Sequence, residues 1–232
     1  MSSNQKTVKR FSKWVIIAHW TNALAFFALY LTALPLYTDF FSWMYPIFGG
    51  PENLRLLHRI FAVIFILPPI VMLIVDPKSL FHWLKQTLTW RKQDFLFFTK
   101  FPKEFFGGHV KDMPKQDFFN AGEKLNSLLT IVCAALLIGS GVVMWFASAF
   151  PIGLVQWAYP IHNIAFGLSI AVVVGHIYLS LGHPNSKASM QGMIKGDVPV
   201  KYVKEHHEVW YDELVAKGEI KEEKPEKKNK GA

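Results

Sequence analysis

Four histidines stand inside otherwise apolar stretches of this 232-residue chain. His19 lies in "WVIIAHWTNALAFFALYLTALPL" and His58 in "LLHRIFAVIFILPPIVMLIV". His162 and His176 share "PIHNIAFGLSIAVVVGHIYLSLGHP". Ionisable side chains are rare in membrane-crossing segments, where they mark ligand sites, ion pairs or proton relays. The fourteen-residue spacing of His162 and His176 turns a helix by about 1,400°, within ~40° of four whole turns, over a rise of ~21 Å. Both residues then lie on nearly one face, at opposite depths. One metal ion cannot touch both, but two separate cofactors can each take one.

Depth supplies the partners. His58 opens the second apolar block, level with His162 near the start of the fourth. His19 lies near the start of the first block, level with His176 near the end of the fourth. One histidine pair per leaflet, with apolar walls and small residues such as Ala134, Ala135, Gly139 and Gly141 nearby, suits two six-coordinate b-type haems with two imidazoles each. Zinc is a weaker fit, because each pair lacks third and fourth ligands. A proton relay lacks an intermediate carboxylate, since no Asp or Glu falls within the four blocks. Arg55 and Arg59 flank His58 and suit haem propionates. Simple interfacial anchoring is the plainer alternative for them.

These residues need four long helices to hold them. Half of the chain (51%) is hydrophobic and the mean hydropathy is positive. The apolar residues cluster in four blocks, expected as spans at about 14–36, 56–75, 125–149 and 155–181. Each is long enough for a hydrocarbon core of ~30 Å. The first is too long for a signal peptide and has no obvious small-residue cleavage site, so it reads as a span. The net charge of +8 is unevenly placed. Lys6, Lys9, Arg10 and Lys13 precede span one; nine basic residues lie from Lys78 to Lys124, and ten from Lys187 to Lys230. Arg55 is the only one ahead of span two, and none lies between spans three and four. This alternation places both termini in the cytoplasm and gives little support to nucleic-acid binding. Cys133, the single cysteine, excludes an internal disulfide, a CxxCH haem attachment and a cysteine-ligated cluster. It reads as a small packing residue.

The remaining segments are connections. Residues 1–13 form an N-terminal tail, and 185–232 a C-terminal tail of short polar helices whose charged end "EIKEEKPEKKNKGA" reads as disordered. "SLFHWLKQTLTW" and "FLFFTKFPKEFFGG", between spans two and three, suit the membrane surface. Pro68 and Pro69 suggest a kink in span two. His82, His109, His183, His206 and His207 fall in loops or the tail and read as surface residues. No globular domain is expected outside the membrane. The fold class is all-α: an integral four-helix bundle with interfacial and C-terminal cytoplasmic helices.

Seven stretches carry a resemblance: "AHW", "RLLHRIFA", "NAGEK", "IHNIAFG", "GHIYLS", "GMIKGDV" and "HHEVWYDEL". Over about residues 8–215 the chain resembles the cytochrome b (gamma) subunit of respiratory membrane-bound formate dehydrogenase. It is also similar to the cytochrome b subunits of nickel–iron hydrogenases. The resemblance implies haem ligation by an outer pair, His58 and His162, and an inner pair, His19 and His176. It implies a quinone pocket at the cytoplasmic end, carried onto Asn120, Gly122 and Glu123 beside His176. Where the family commonly has glutamine, this chain has Glu123. Asn120 has a local reading too, as a cap for span three. The implied partners are a catalytic molybdenum or tungsten subunit, an iron–sulfur (beta) subunit with its own anchor helix, a membrane quinone and the bilayer. The implied location is the bacterial inner membrane. A hydrogenase or another molybdo-enzyme as electron donor, and a haem-free membrane anchor, are the rival readings.

Overall fold

The computed structural model describes residues 6–106, 108, 110, 112–183 and 186–222. Four of its helices are long and apolar enough to cross a membrane: α1 (Lys13–Tyr37), α2 (Pro51–Val75), α5 (Ala121–Trp145) and α6 (Ile152–Ile177), the last prolonged to Gly182 by a wider π turn. Between α2 and α5 lie α3 (Pro77–Leu88) and α4 (Lys92–Phe105). Beyond α6 come α7 (Ser186–Lys195), α8 (Val200–His206) and α9 (Glu208–Ala216). Two three-residue strands, β1 (Thr7–Lys9) and β2 (Asp197–Pro199), pair antiparallel with Val8 opposite Val198.

The long helices bury little of themselves within the chain. Ile17, Leu24, Ile74, Ile164 and Val174 are exposed, and such apolar surface on helices that satisfy their own backbone suits lipid. Their ends differ somewhat from the expected bounds. Gly50 ends a turn, so α2 starts at Pro51, well before residue 56. Asn120 caps α5, which therefore starts at Ala121 instead of 125 and stops at Trp145. α2 remains helical through Pro68 and Pro69.

Close backbone packing runs within two hairpins, α1 with α2 and α5 with α6. The two hairpins meet mainly through side chains. Tyr30 of α1 reaches Ser169 (3.2 Å), and its ring packs tilted against Phe166 with centroids 5.0 Å apart, both of α6. A gap bridged by side chains is where a bundle holds a cofactor.

At the end of the bundle that carries both tails, the extramembrane segments form a cap. Its core is Val198, Val200, Val203, Trp210, Tyr211 and Leu214. The chain therefore does carry a small folded unit outside the spans, against expectation. β1 and β2 close it. The Arg10 and Phe11 amides both donate to the Gly196 carbonyl. Gly196 has φ +86, and a Cβ there would lie 2.7 Å from the Phe11 carbonyl oxygen, so only glycine fits. The Trp20 indole donates to the Met193 carbonyl at 2.9 Å and ties α1 to α7. α4 is held to α5 by a buried ion pair, Lys124 with Asp94 at 2.8 Å. The disorder expected at the C-terminal end falls, from residue 223 on, outside the described residues, as does His109.

Candidate functional site

The four membrane histidines come together as two pairs. The rings of His58 (α2) and His162 (α6) have centroids 6.4 Å apart, crossed at 63°. Those of His19 (α1) and His176 (α6) are 6.2 Å apart, crossed at 61°. Each pair joins one hairpin to the other across the gap. Two imidazoles on one metal ion, with metal–nitrogen bonds of about 2 Å, have ring centres about 6 Å apart. Both pairs match that spacing without rearrangement. Neither pair gains a third His, Cys, Asp or Glu to make a cluster among the described residues, which leaves the plane between the rings open to a ligand-bearing macrocycle.

The pair farther from the tails is oriented by hydroxyls. His58 Nδ1 lies 2.9 Å from Thr32 Oγ1, and His162 Nδ1 lies 2.9 Å from Ser140 Oγ. Thr32 is on α1 and Ser140 on α5, so each histidine is held by the other helix of its own hairpin. Gly141 lets α5 approach: a Cβ there would sit 3.5 Å from His162 Cε1. In the pair nearer the tails, His19 Nδ1 is buried and has no partner. Between the levels, Phe26, Phe65, Tyr30 and Phe166 fill the bundle with aromatic rings.

The arginines beside His58 are placed differently from one another. Arg55 is half-exposed and bonds Glu52 on its own helix. Arg59 lies over the Trp145 ring at 5.2 Å, beside an apolar groove of about 270 Å³ lined by Leu56, Ile60, Val63 and Ile64.

At the tail end, Asn120 and Glu123 form a reciprocal cap. Asn120 Oδ1 accepts from the Glu123 amide (2.8 Å), and Glu123 Oε2 accepts from the Asn120 amide (3.0 Å). Glu123 is also ion-paired to Arg10, with Nη2 at 2.9 and 3.0 Å from its two oxygens. The side-chain N–H groups of Asn120 have no partner among the described residues. Gly122 leaves the space beside Asn120 open, since a Cβ would come within 3.2 Å of Asn120 Oδ1. Glu123 lies in the first turn of α5, and His19 and His176 lie near the start of α1 and the end of α6, all at the end of the bundle that carries both tails.

Two residues here escape sequence reading. The Arg10 side chain is fully buried and is surrounded by the Phe11, Phe118, Phe119 and Trp210 rings. His207 is not a surface residue: it is 0% exposed, with Nδ1 donating to the Asp117 carbonyl at 2.8 Å. Burial first, and then the Arg10 charge, push its pKa down to about 4. His82 is exposed, while His183 and His206 are half-buried.

Four membrane-length helices, with histidine rings paired at two levels across the gap between the hairpins, define the class: a helical membrane bundle. Residues 10–196 match the prokaryotic cytochrome b561 family, and the chain belongs to it. It is 28% identical over 217 residues to the cytochrome b556 subunit of the nitrate-inducible formate dehydrogenase of Escherichia coli, covering 90% of this chain and 91% of that protein. A second formate dehydrogenase cytochrome b556 subunit of E. coli is 28% identical over 211 residues, 90% of this chain and 93% of its own length. The corresponding subunit of Haemophilus influenzae is 24% identical over 221 residues, 92% of this chain and 86% of its own length. The chain is therefore a membrane cytochrome b of a prokaryotic family, and the family implies haem b.

Proposed function

We propose that this chain is the dihaem membrane subunit of a formate dehydrogenase complex. It takes electrons from an iron–sulfur subunit on the outer side and delivers them to a quinone near the cytoplasmic side. The observation that carries the reading is the pair of histidine couples, 6.4 and 6.2 Å between ring centres. Haem b, when bound, supplies a reversible one-electron iron couple. His58 and His162 would hold the outer iron, and His19 and His176 the inner one. Arg55 and Arg59 are assigned to propionates at the outer site. The relatives are subunits of formate dehydrogenases, which supports partner subunits in a complex; the partners assigned are a catalytic molybdenum or tungsten subunit and a beta subunit with an anchor helix.

The residues do four things. The histidines would hold the two haem irons, one pair at each level of the bundle. The apolar helix faces exclude water from the space around them. The basic tails hold the cap on the cytoplasmic face of the inner membrane. Asn120 offers unused N–H groups to a quinone oxygen beside Gly122 and His176, while Glu123 and Arg10 keep the helix start in place. A free pair of donors at a helix N-terminus is suited to an oxygen that gains charge on reduction.

The test is the pyridine haemochrome of the purified complex. Two protohaems per copy of this chain are expected, with low-spin spectra. One or fewer in cofactor-replete protein defeats the paired-site reading. The co-purifying subunits decide between formate dehydrogenase and a hydrogenase.

A further inference from the structure

The two histidine pairs differ in what touches the second ring nitrogen. A hydroxyl carries one hydrogen. Thr32 Oγ1 lies 2.9 Å from the Ala28 carbonyl and 3.1 Å from that of Leu29. Ser140 Oγ lies 2.5 Å from the Leu136 carbonyl and 3.3 Å from that of Leu137. Carbonyls only accept, so both hydroxyl hydrogens point back along their own helices. Each oxygen is left to accept, and the neighbouring histidine Nδ1 must donate to it. That fixes Nδ1–H, and leaves Nε2 bare, on His58 and His162. Thr32 is 1% exposed and Ser140 7%, so water does not compete. At the other level the buried His19 Nδ1 has no such acceptor.

We propose that Thr32 and Ser140 are positioning residues that set the outer haem's potential below the inner one's. The inference rests on the dihaem reading above. A hydrogen bond accepted from Nδ1–H makes Nε2 a stronger electron donor, and that favours the ferric over the ferrous ion. Two such bonds act at the outer iron, and one of the inner ligands has none. An electron entering at the outer haem therefore moves downhill toward the inner haem, through the Tyr30–Phe166 layer.

The experiment is a redox titration of both haem bands in the intact complex, with the outer haem identified as the one lost in His58→Ala. Thr32→Val and Ser140→Ala each remove one acceptor and are expected to raise the outer potential. The expected shift is up to about fivefold in the oxidised-to-reduced ratio, the size of one ordinary hydrogen bond, or about 40 mV at 59 mV per tenfold. The inner potential stays where it was. Thr32→Ser, which keeps the hydroxyl, restores the unmodified value. If Thr32→Val costs the outer haem, Ser140→Ala and Thr32→Ser carry the comparison. Two bound haems with an unmoved outer potential overturn the proposal and leave the dihaem reading standing. Fewer than two haems in the unmodified complex overturn both.

Discussion

Arg10 and Glu123 lie 113 residues apart and form an ion pair at 2.9 Å. The pair joins the N-terminal segment to the first turn of α5. Its guanidinium is fully buried, while the carboxylate side chain is 28% exposed. Glu123 thereby has a structural duty that a glutamine shares only in part. A glutamine can accept at the cap, but it brings no charge to Arg10.

Removing Arg10 should loosen the cap. Breaking a fully buried pair costs ~3–5 kcal/mol, and the partial exposure of Glu123 places Arg10→Ala near or below the low end. Arg10→Lys should recover only part, because a lysine loses the planar stacking on Phe118 and Trp210. Thermal unfolding of the purified protein and limited proteolysis of residues 200–216 report it. An unchanged midpoint in Arg10→Ala means the pair contributes no stability.

The cap should also weaken in acid. His207 has a folded pKa of about 4, below its ordinary 6.5, because burial disfavours the charged ring. Between those values the unfolded segment binds more protons than the folded one, so stability rises with pH through the window. Lowering the pH from 6.5 to about 4 removes up to about 3 kcal/mol, and above 6.5 the group has no further effect. Hydrogen exchange of α8 and α9 amides, corrected for intrinsic rates, should show progressively faster opening below pH 6.5. His207→Gln should flatten that dependence, and an equally steep one in the variant would assign it elsewhere.

Both residues were invisible to pattern reading for a physical reason. Arg10 is buried only because β1 pairs with β2 across the chain, and two three-residue strands carry no usable alternation. His207 is buried by the same closure. Thr32 and Ser140 were missed because a lone hydroxyl in an apolar run satisfies itself on its own helix. The histidine pairs were legible because hydropathy fixes depth and the 3.6-residue period fixes face. The Asn120 cap was legible as well, with glutamate three residues on ahead of an apolar run. The bounds were less so: Pro51–Arg55 and Ala121–Lys124 are polar enough to hide the first turns of α2 and α5.

Asn120 has two possible duties, and a chosen variant separates them. Asn120→Ser keeps an oxygen that can cap α5 but has no amide N–H to offer a quinone. The expected outcome is an intact fold, unchanged haem spectra and quinone reduction slowed by about fivefold, the value of one hydrogen bond. Asn120→Ala should add a cap loss of ~1 kcal/mol. Full quinone turnover in Asn120→Ser would remove this residue from the pocket.

The order of the two histidine pairs gives the last prediction. The ring contacts place His58 with His162 and His19 with His176, and the proposed topology, with the basic tails in the cytoplasm, puts the second pair on that side. If formate enters its electrons outside, negative charge moves inward. Each electron crossing the whole membrane against 100 mV, negative inside, does about 2.3 kcal/mol of work. His19→Ala removes one inner ligand, so formate should still reduce the outer haem while quinone reduction stops. His58→Ala removes an outer ligand, so the remaining inner haem should be reduced slowly or not at all. Stopped-flow spectra of the two variants, in complexes shown by subunit content to be assembled, read the two cases directly. Fast reduction of the remaining haem in His58→Ala, with none in His19→Ala, would reverse the order, because opposite phenotypes arise only when the two sites work in series.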